Sequence, residues 1–179
     1  AGAFNSNLIK GAQKFAEDNP GAQLSYETVG RKGRDFFRRR EAPITGEHIG
    51  ILNKVQLADA AAIAKASAER YAKGESDAVY LIYNEFKSVV SQKITLKKLL
   101  PITLPENAAV LDYIYEEPPA ELLGSLLPKY VENAIFSAML ESVSSEHAAR
   151  MTAMDAATTN ASEVIEKVTL YMNRVRQAS

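Results

Sequence analysis

The chain has 179 residues, a hydrophobic fraction of 46% and a formal net charge of −1, apolar enough for one ordinary core. The balanced charge excludes a global electrostatic pull toward nucleic acid or anionic lipid. The absence of cysteine removes disulfides, thiolate zinc sites and thiol nucleophiles together, and no apolar run reaches the ~18–20 residues that span a bilayer.

Asn5 to Asp18 reads as a helix, with Leu8, Ala12 and Phe15 on one face and Asp18-Asn19-Pro20-Gly21 as its stop. Ala22 to Val29 alternates. Leu24, Tyr26 and Thr28 point one way and Gln23, Ser25 and Glu27 the other, the pattern of a half-buried strand. A turn around Gly30 and Gly33 leads into a short basic helix ending at Arg40, and Pro43 and Gly46 mark a loop. Val55 to Lys73 is an Ala-rich helix stopped by Gly74. Three strands follow: Asp77 to Asn84, nearly continuously apolar and therefore covered on both faces, then Val89 to Leu99 and Val110 to Tyr115. This order predicts an α/β three-layer domain over residues 1–128, with a mixed sheet. Such a domain normally opens on a strand. Here a helix follows Ala1-Gly2-Ala3 directly, so the first strand is expected to be missing.

No Gly or Pro occurs after Pro128, so residues 129–179 are expected to form one helix, from about Tyr130. At the rise of an α-helix it would extend about 75 Å, whereas a domain of the preceding residues has a radius of gyration of about 14 Å. The helix must project. Val131, Ala134, Ile135, Ala138 and Val143 form a wide stripe suited to docking on the domain. Beyond about Arg150 a narrow seam takes over: Met151, Met154, Thr158, Ala161, Ile165, Val168, Met172 and Val175 return at steps of three and four. That is a heptad seam, and it demands a partner helix.

The opening Gly2-to-Ile9 segment lacks both the G-x-G-x-x-G and the Gly-Lys-Ser/Thr patterns, and an N-cap at Asn5 or Ser6 explains it equally well. Arg31 to Arg40 is the densest charge cluster, and basic residues flanking Phe36 and Phe37 could grip nucleic acid or an acidic surface, or simply stay solvated while the phenylalanines anchor inward. His48 and His147 have no metal-ligand spacing. Glu116 and Glu117 are neighbours on an extended segment and point apart, so they do not form an acid–base pair. The sequence holds no nucleophile–base set and no metal or cofactor motif to support an enzyme.

Three stretches resemble the gamma subunit of the F-type rotary ATP synthase: Gly2 to Ile9, Ser145-Glu-His-Ala-Ala-Arg-Met-Thr-Ala-Met-Asp155, and Asn173-Arg-Val-Arg-Gln-Ala178. Val29 to Gly33 and Asp112 to Glu116 agree with it. The resemblance implies a central rotor shaft, an antiparallel coiled coil of N- and C-terminal helices inside a ring of alpha and beta subunits. A Rossmann-like foot domain would sit against the epsilon subunit and the membrane c-ring. Catalytic sites would lie on beta, so gamma would carry no active site and no cofactor, and would bind no nucleic acid. By position, Asn173, Arg176 and Gln177 would contact the catalytic subunit, and Tyr113 and Glu116 would face epsilon and the membrane ring. The seam would pack on the N-terminal gamma helix, which is absent here, as is the family's terminal segment. The missing cysteine-bearing insertion of chloroplast homologues points to a bacterial or mitochondrial type. The subunit would be peripheral on the inner face of the bacterial plasma membrane or the matrix side of the mitochondrial inner membrane. The rival reading is a self-associating coiled-coil scaffold with a non-catalytic α/β domain. The softness of a seam built on Met, Thr and Ala argues against strong self-pairing.

Overall fold

The structure, a computed structural model, describes residues 4–89, 91–102 and 119–178. Its order is α1 (Phe4–Asp18), β1 (Tyr26–Val29), α2 (Arg31–Arg39), β2 (Ile44–His48), a 3-10 turn at Ile51–Asn53, α3 (Leu57–Ala72), β3 (Val79–Ser88), β4 (Ser91–Leu100) and α4 (Pro119–Ala178). The fold is α/β with a long C-terminal helix, and strand pairing is mixed. β1 and β2 run parallel, while β3 and β4 form an antiparallel hairpin.

The hairpin is the middle layer. On one face α1 packs, with Phe15 meeting Tyr80 at a ring separation of 4.8 Å. On the other, Val79, Leu81 and Leu99 join Ala60, Ile63 and Ala64 of α3 and Val131, Ile135 and Met139 of α4 in one core. Adjacent residues of a strand face opposite sides, so β3 receives helices on both faces, as its apolar run predicts. Coverage on the α1 side is incomplete, and Tyr80 stays 43% exposed. Gly11 brings α1 down onto β4: a Cβ there would lie 2.8 Å from Ile94 Cγ2.

Several local expectations are corrected. Residues 22–25 are not strand, and only Tyr26–Val29 pairs. The turn at Gly30 is followed at once by α2, which begins at Arg31 and includes Gly33. The segment read as a Pro43–Gly46 loop is strand β2, paired with β1. Gly46 is there for space: a Cβ would come within 2.9 Å of Glu27 Oε1 on the neighbouring strand. The gap lets the Glu27 carboxylate lie across β2. Its Oε1 meets His48 Nε2 at 2.9 Å, and its Oε2 accepts from Ser67 Oγ at 3.3 Å and from Arg70 Nη2. One carboxylate thus ties β1, β2 and α3 together. α3 ends where Gly74 takes φ +72°, a conformation that L side chains rarely adopt. The last helix begins at Pro119 rather than near Tyr130, with Pro128 inside it. Proline is well suited to a first helical position, and Pro128 lies inside the helix instead of marking its boundary. The expected strand from Val110 to Tyr115 lies outside the described residues.

Two predictions follow from this packing. A mid-helix Gly→Ala change at an open site should stabilise by up to about 1 kcal/mol. Gly11→Ala should gain nothing, and Gly11→Val should cost about 1–3 kcal/mol, because the β-branched Ile94 cannot swing its Cγ2 aside. Glu27→Ala leaves Arg70 and His48 half-buried without their acceptor and should cost about 2 kcal/mol. Urea unfolding of the two series measures both.

Candidate functional site

α4 has two halves with different surroundings. Val131, Ile135 and Met139 are buried at helical spacing against α3 and the hairpin, and Ala138 is buried beside them in the chain. Ser145 is fully buried, and its Oγ donates to the Asn84 carbonyl at 3.1 Å. Beside this contact, burial and then the Glu141 and Glu85 carboxylates push the Tyr83 hydroxyl above its usual pKa, so it stays protonated at neutral pH. Ala148 is the last buried residue, and Thr152 Oγ1 makes a further polar tie, to the Val89 carbonyl at 3.4 Å. From Arg150 to Ala178 every residue is exposed. The change falls at Arg150, where the sequence pattern narrows.

The exposed half spans about 42 Å. The eight seam positions all lie on it, Met154 and Met172 at 64% exposure and Ile165 at 66%. Thr158 is the polar member, but its Oγ1 donates to the Met154 carbonyl at 3.0 Å. A hydroxyl satisfied within its own helix can enter an apolar seam without an unmet hydrogen bond. Thr159 and Ser162 bond back by four residues in the same way. At the base of the stalk, Arg150 grips Glu146 Oε1 through Nη2 at 2.6 Å and Nε at 3.2 Å.

Three large apolar residues stand outside the expected seam: Val164, Leu170 and Tyr171, between 52% and 68% exposed. At about 100° per residue, Leu170 and Met172 lie on nearly opposite sides of the helix. The same apolar count over the last turns, taken without imposing a heptad, would have found them. A helix apolar on more than one side is built to be surrounded. Asn173, Arg176 and Gln177 are exposed close to the end of α4, and their side chains make no hydrogen bond or ion pair among the described residues. Tyr113 and Glu116 lie outside the described residues, as does the Glu116–Glu117 pair.

The other sequence candidates resolve as structure. α1 starts at Phe4, so Asn5 and Ser6 sit inside its first turn instead of capping it. His48 is the partner of Glu27, and His147 is exposed near Glu146. Among the described residues no group of three or more His, Cys, Asp or Glu could hold a metal ion, and no helix is long and apolar enough to cross a membrane.

The ATP synthase family profile matches residues 1–179. The chain belongs to the ATP synthase gamma-chain family. It is 62% identical to the ATP synthase gamma chain of Solibacter usitatus, over its whole length and 63% of that relative. It is 49% identical to that of Pelotomaculum thermopropionicum, over 99% of this chain and 63% of the relative. The chain therefore spans a little under two thirds of these relatives. Among solved structures it is similar to a chain of the central stalk and c-ring of the Tetrahymena thermophila mitochondrial ATP synthase. The TM-score is 0.67 at 27% identity, covering 88% of this chain and 70% of that one. A rotor chain of the Euglena gracilis mitochondrial enzyme shares the fold, with a TM-score of 0.65 at 17% identity, over 98% of this chain and 68% of that one.

The two halves of α4 should respond oppositely to mutation. Ile135→Ala, in the core, should cost about 2–5 kcal/mol. Met154→Lys, Ile165→Lys and Met172→Lys together should leave the melting temperature of the chain within a few degrees of the parent, since those side chains are largely exposed. Thermal denaturation followed by circular dichroism tests both.

Proposed function

We propose that this chain works as the central-stalk rotor of a proton-translocating ATP synthase, a non-catalytic shaft that couples proton flow to ATP synthesis elsewhere in the complex. The observation that carries the reading is the exposed half of α4: about 42 Å of helix clear of its own domain and apolar on more than one side. An N-terminal gamma helix would cover the seam of Met151, Met154, Thr158, Ala161, Ile165, Val168, Met172 and Val175. A collar of alpha and beta subunits would surround the rest. Residues 1–128 would be the foot and 129–179 the long helix, docked on the foot at first and then shaft. Tyr113 and Glu116 would meet epsilon and the c-ring, which keeps the subunit peripheral on the inner face of a bacterial or mitochondrial energy-transducing membrane.

The mechanism is differential contact. A rotor changes the catalytic sites only if each angle of the shaft stabilises one beta conformation over the others. Asn173, Arg176 and Gln177 supply the polar part of that difference, and Arg176 can hold a carboxylate of the catalytic subunit in two parallel bonds.

The test is a full gamma chain carrying this sequence, reconstituted with alpha and beta. Arg176→Ala with Gln177→Ala should lower ATP turnover about tenfold at unchanged assembly, the loss expected for one charge-assisted contact. Full turnover in that variant, with free rotation after Met154→Lys, Ile165→Lys and Met172→Lys, overturns the reading. The exposed seam also favours a second reading, a self-associating scaffold. Sedimentation equilibrium decides it: a tight dimer abolished by the three lysines supports the scaffold, and a monomer excludes it.

A further inference from the structure

We infer that the cleft between α1 and α2 binds a phosphate-bearing anion through Lys32, Arg39 and Arg40. The cleft has a volume of about 500 Å³, within the range of small-ligand sites, and is lined by Asn5, Ser6 and Ile9 of α1 and by Lys32, Asp35, Phe36, Arg39 and Arg40 along α2.

The α2 residues recur at steps of three, four, seven and eight. On a helix that faces another helix, this stripe normally carries the apolar side chains that close the gap. Here it carries three cations, and the gap is open. α2 takes its anchorage from a different position: Phe37 stacks on Tyr26 of β1 with ring centres 4.1 Å apart. The cationic stripe is therefore not what attaches the helix.

Its cations also hold no direct ion pair among the described residues. Two neighbouring arginines are spent, Arg34 on Asp35 at 2.6 Å and Arg38 on Glu47 at 2.6 Å. Among the described residues Lys32, Arg39 and Arg40 form no ion pair, and the one lining carboxylate, Asp35, already belongs to Arg34. The Asp35 carboxyl is held below its usual pKa, first by the Arg34 hydrogen bond and then by the charges of Arg34, Arg39 and Arg31, so it is ionised at neutral pH and its negative charge is offset by Arg34. Arg40 lies over the Phe36 ring at 4.2 Å, which holds its guanidinium at the mouth of the cleft. Planar guanidinium groups beside an ammonium suit phosphate oxygens. Asn5 and Ser6 add neutral hydrogen-bonding groups on the opposite wall.

The source of the phosphate is either a free compound or a lipid headgroup, and the test separates them. Pyrophosphate is titrated into the chain at low salt and followed by amide NMR. Saturable shifts at Asn5, Ser6, Lys32, Arg39 and Arg40 are expected. Lys32→Gln with Arg39→Gln should weaken binding at least about tenfold, while Arg38→Gln, already paired to Glu47, should change it less than about twofold. Linear, unsaturable shifts, or equal losses in both variants, overturn the site in favour of diffuse counterion binding. All substituted side chains are exposed, so circular dichroism should match the parent. Co-sedimentation with phosphatidylcholine vesicles containing phosphatidylglycerol, lost in the double variant, assigns a headgroup. Pyrophosphate binding without co-sedimentation assigns a free phosphate compound.

Discussion

Everything this chain presents beyond its domain depends on one packed junction, the burial of Val131, Ile135 and Met139 against Ala60, Ile63 and Ala64 of α3 and Leu99 of the hairpin. The alanines of α3 decide its closeness. Small side chains let two helices approach, so the larger residues of α4 fill the space between them at interior density. Ser145 and Thr152 then extend the grip along β3 and its turn through hydrogen bonds to main-chain carbonyls. Polar ties suit this stretch because β3 is losing its apolar residues there: Glu85, Lys87 and Ser88 replace Val79 and Leu81.

The distal half follows the opposite rule, since its residues from Arg150 to Ala178 are all exposed. Methionine, threonine and alanine occupy seam positions that isoleucine and leucine fill in a tight zipper. Methionine adapts to irregular surfaces, and the Thr158 hydroxyl is satisfied by its own helix. Such a seam gives moderate affinity and tolerates small changes of fit. On the proposed reading that is an advantage, because a shaft that turns within a collar meets different neighbours at each angle.

How much of this was legible in the sequence varies with the physics. The two halves of α4 were, because a wide stripe and a heptad seam are different periodicities and their switch at Arg150 is a local signal. α1 and α3 were legible for the same reason, and the hairpin in part: residues 85–88, polar apart from Phe86, extend β3 past the strand expected to end at Asn84, and Val89 lies in the turn. β2 was not: Ile44-Thr-Gly-Glu-His48 carries one apolar residue, and its strand character comes from pairing with β1. Gly46 looked like a turn residue and is instead a space left for Glu27. The Glu27 network was also hidden, since its partners lie 21, 40 and 43 residues away and only the fold brings them together. Pro128 is a poor guide to the helix boundary here, because α4 runs through it from Pro119. At the candidate site, Arg176 and its neighbours were reachable only through family resemblance. A frayed helix end and a contact surface have the same composition.

The lengths of the two halves set a mechanical condition on the proposed rotor. Buried residues of α4 run from Val131 to Ala148, about 26 Å of docked helix, while the exposed part is about 42 Å long. A lateral force at the Arg176 end acts on the longer arm, so the docked segment must supply opposing forces larger than the load. The core around Ile135 and the contacts of Ser145 and Thr152 sit at the two ends of that segment, where such a couple is best resisted. The load then passes through α3 to Glu27, whose bonds to Ser67 and Arg70 tie it to the β1–β2 ladder. The exposed half has no such support. Long single helices curve and bend, so a lone α4 would yield before it moved anything. A second helix along the seam would thicken the shaft over the unsupported length, and on this reading stiffness is why the seam exists.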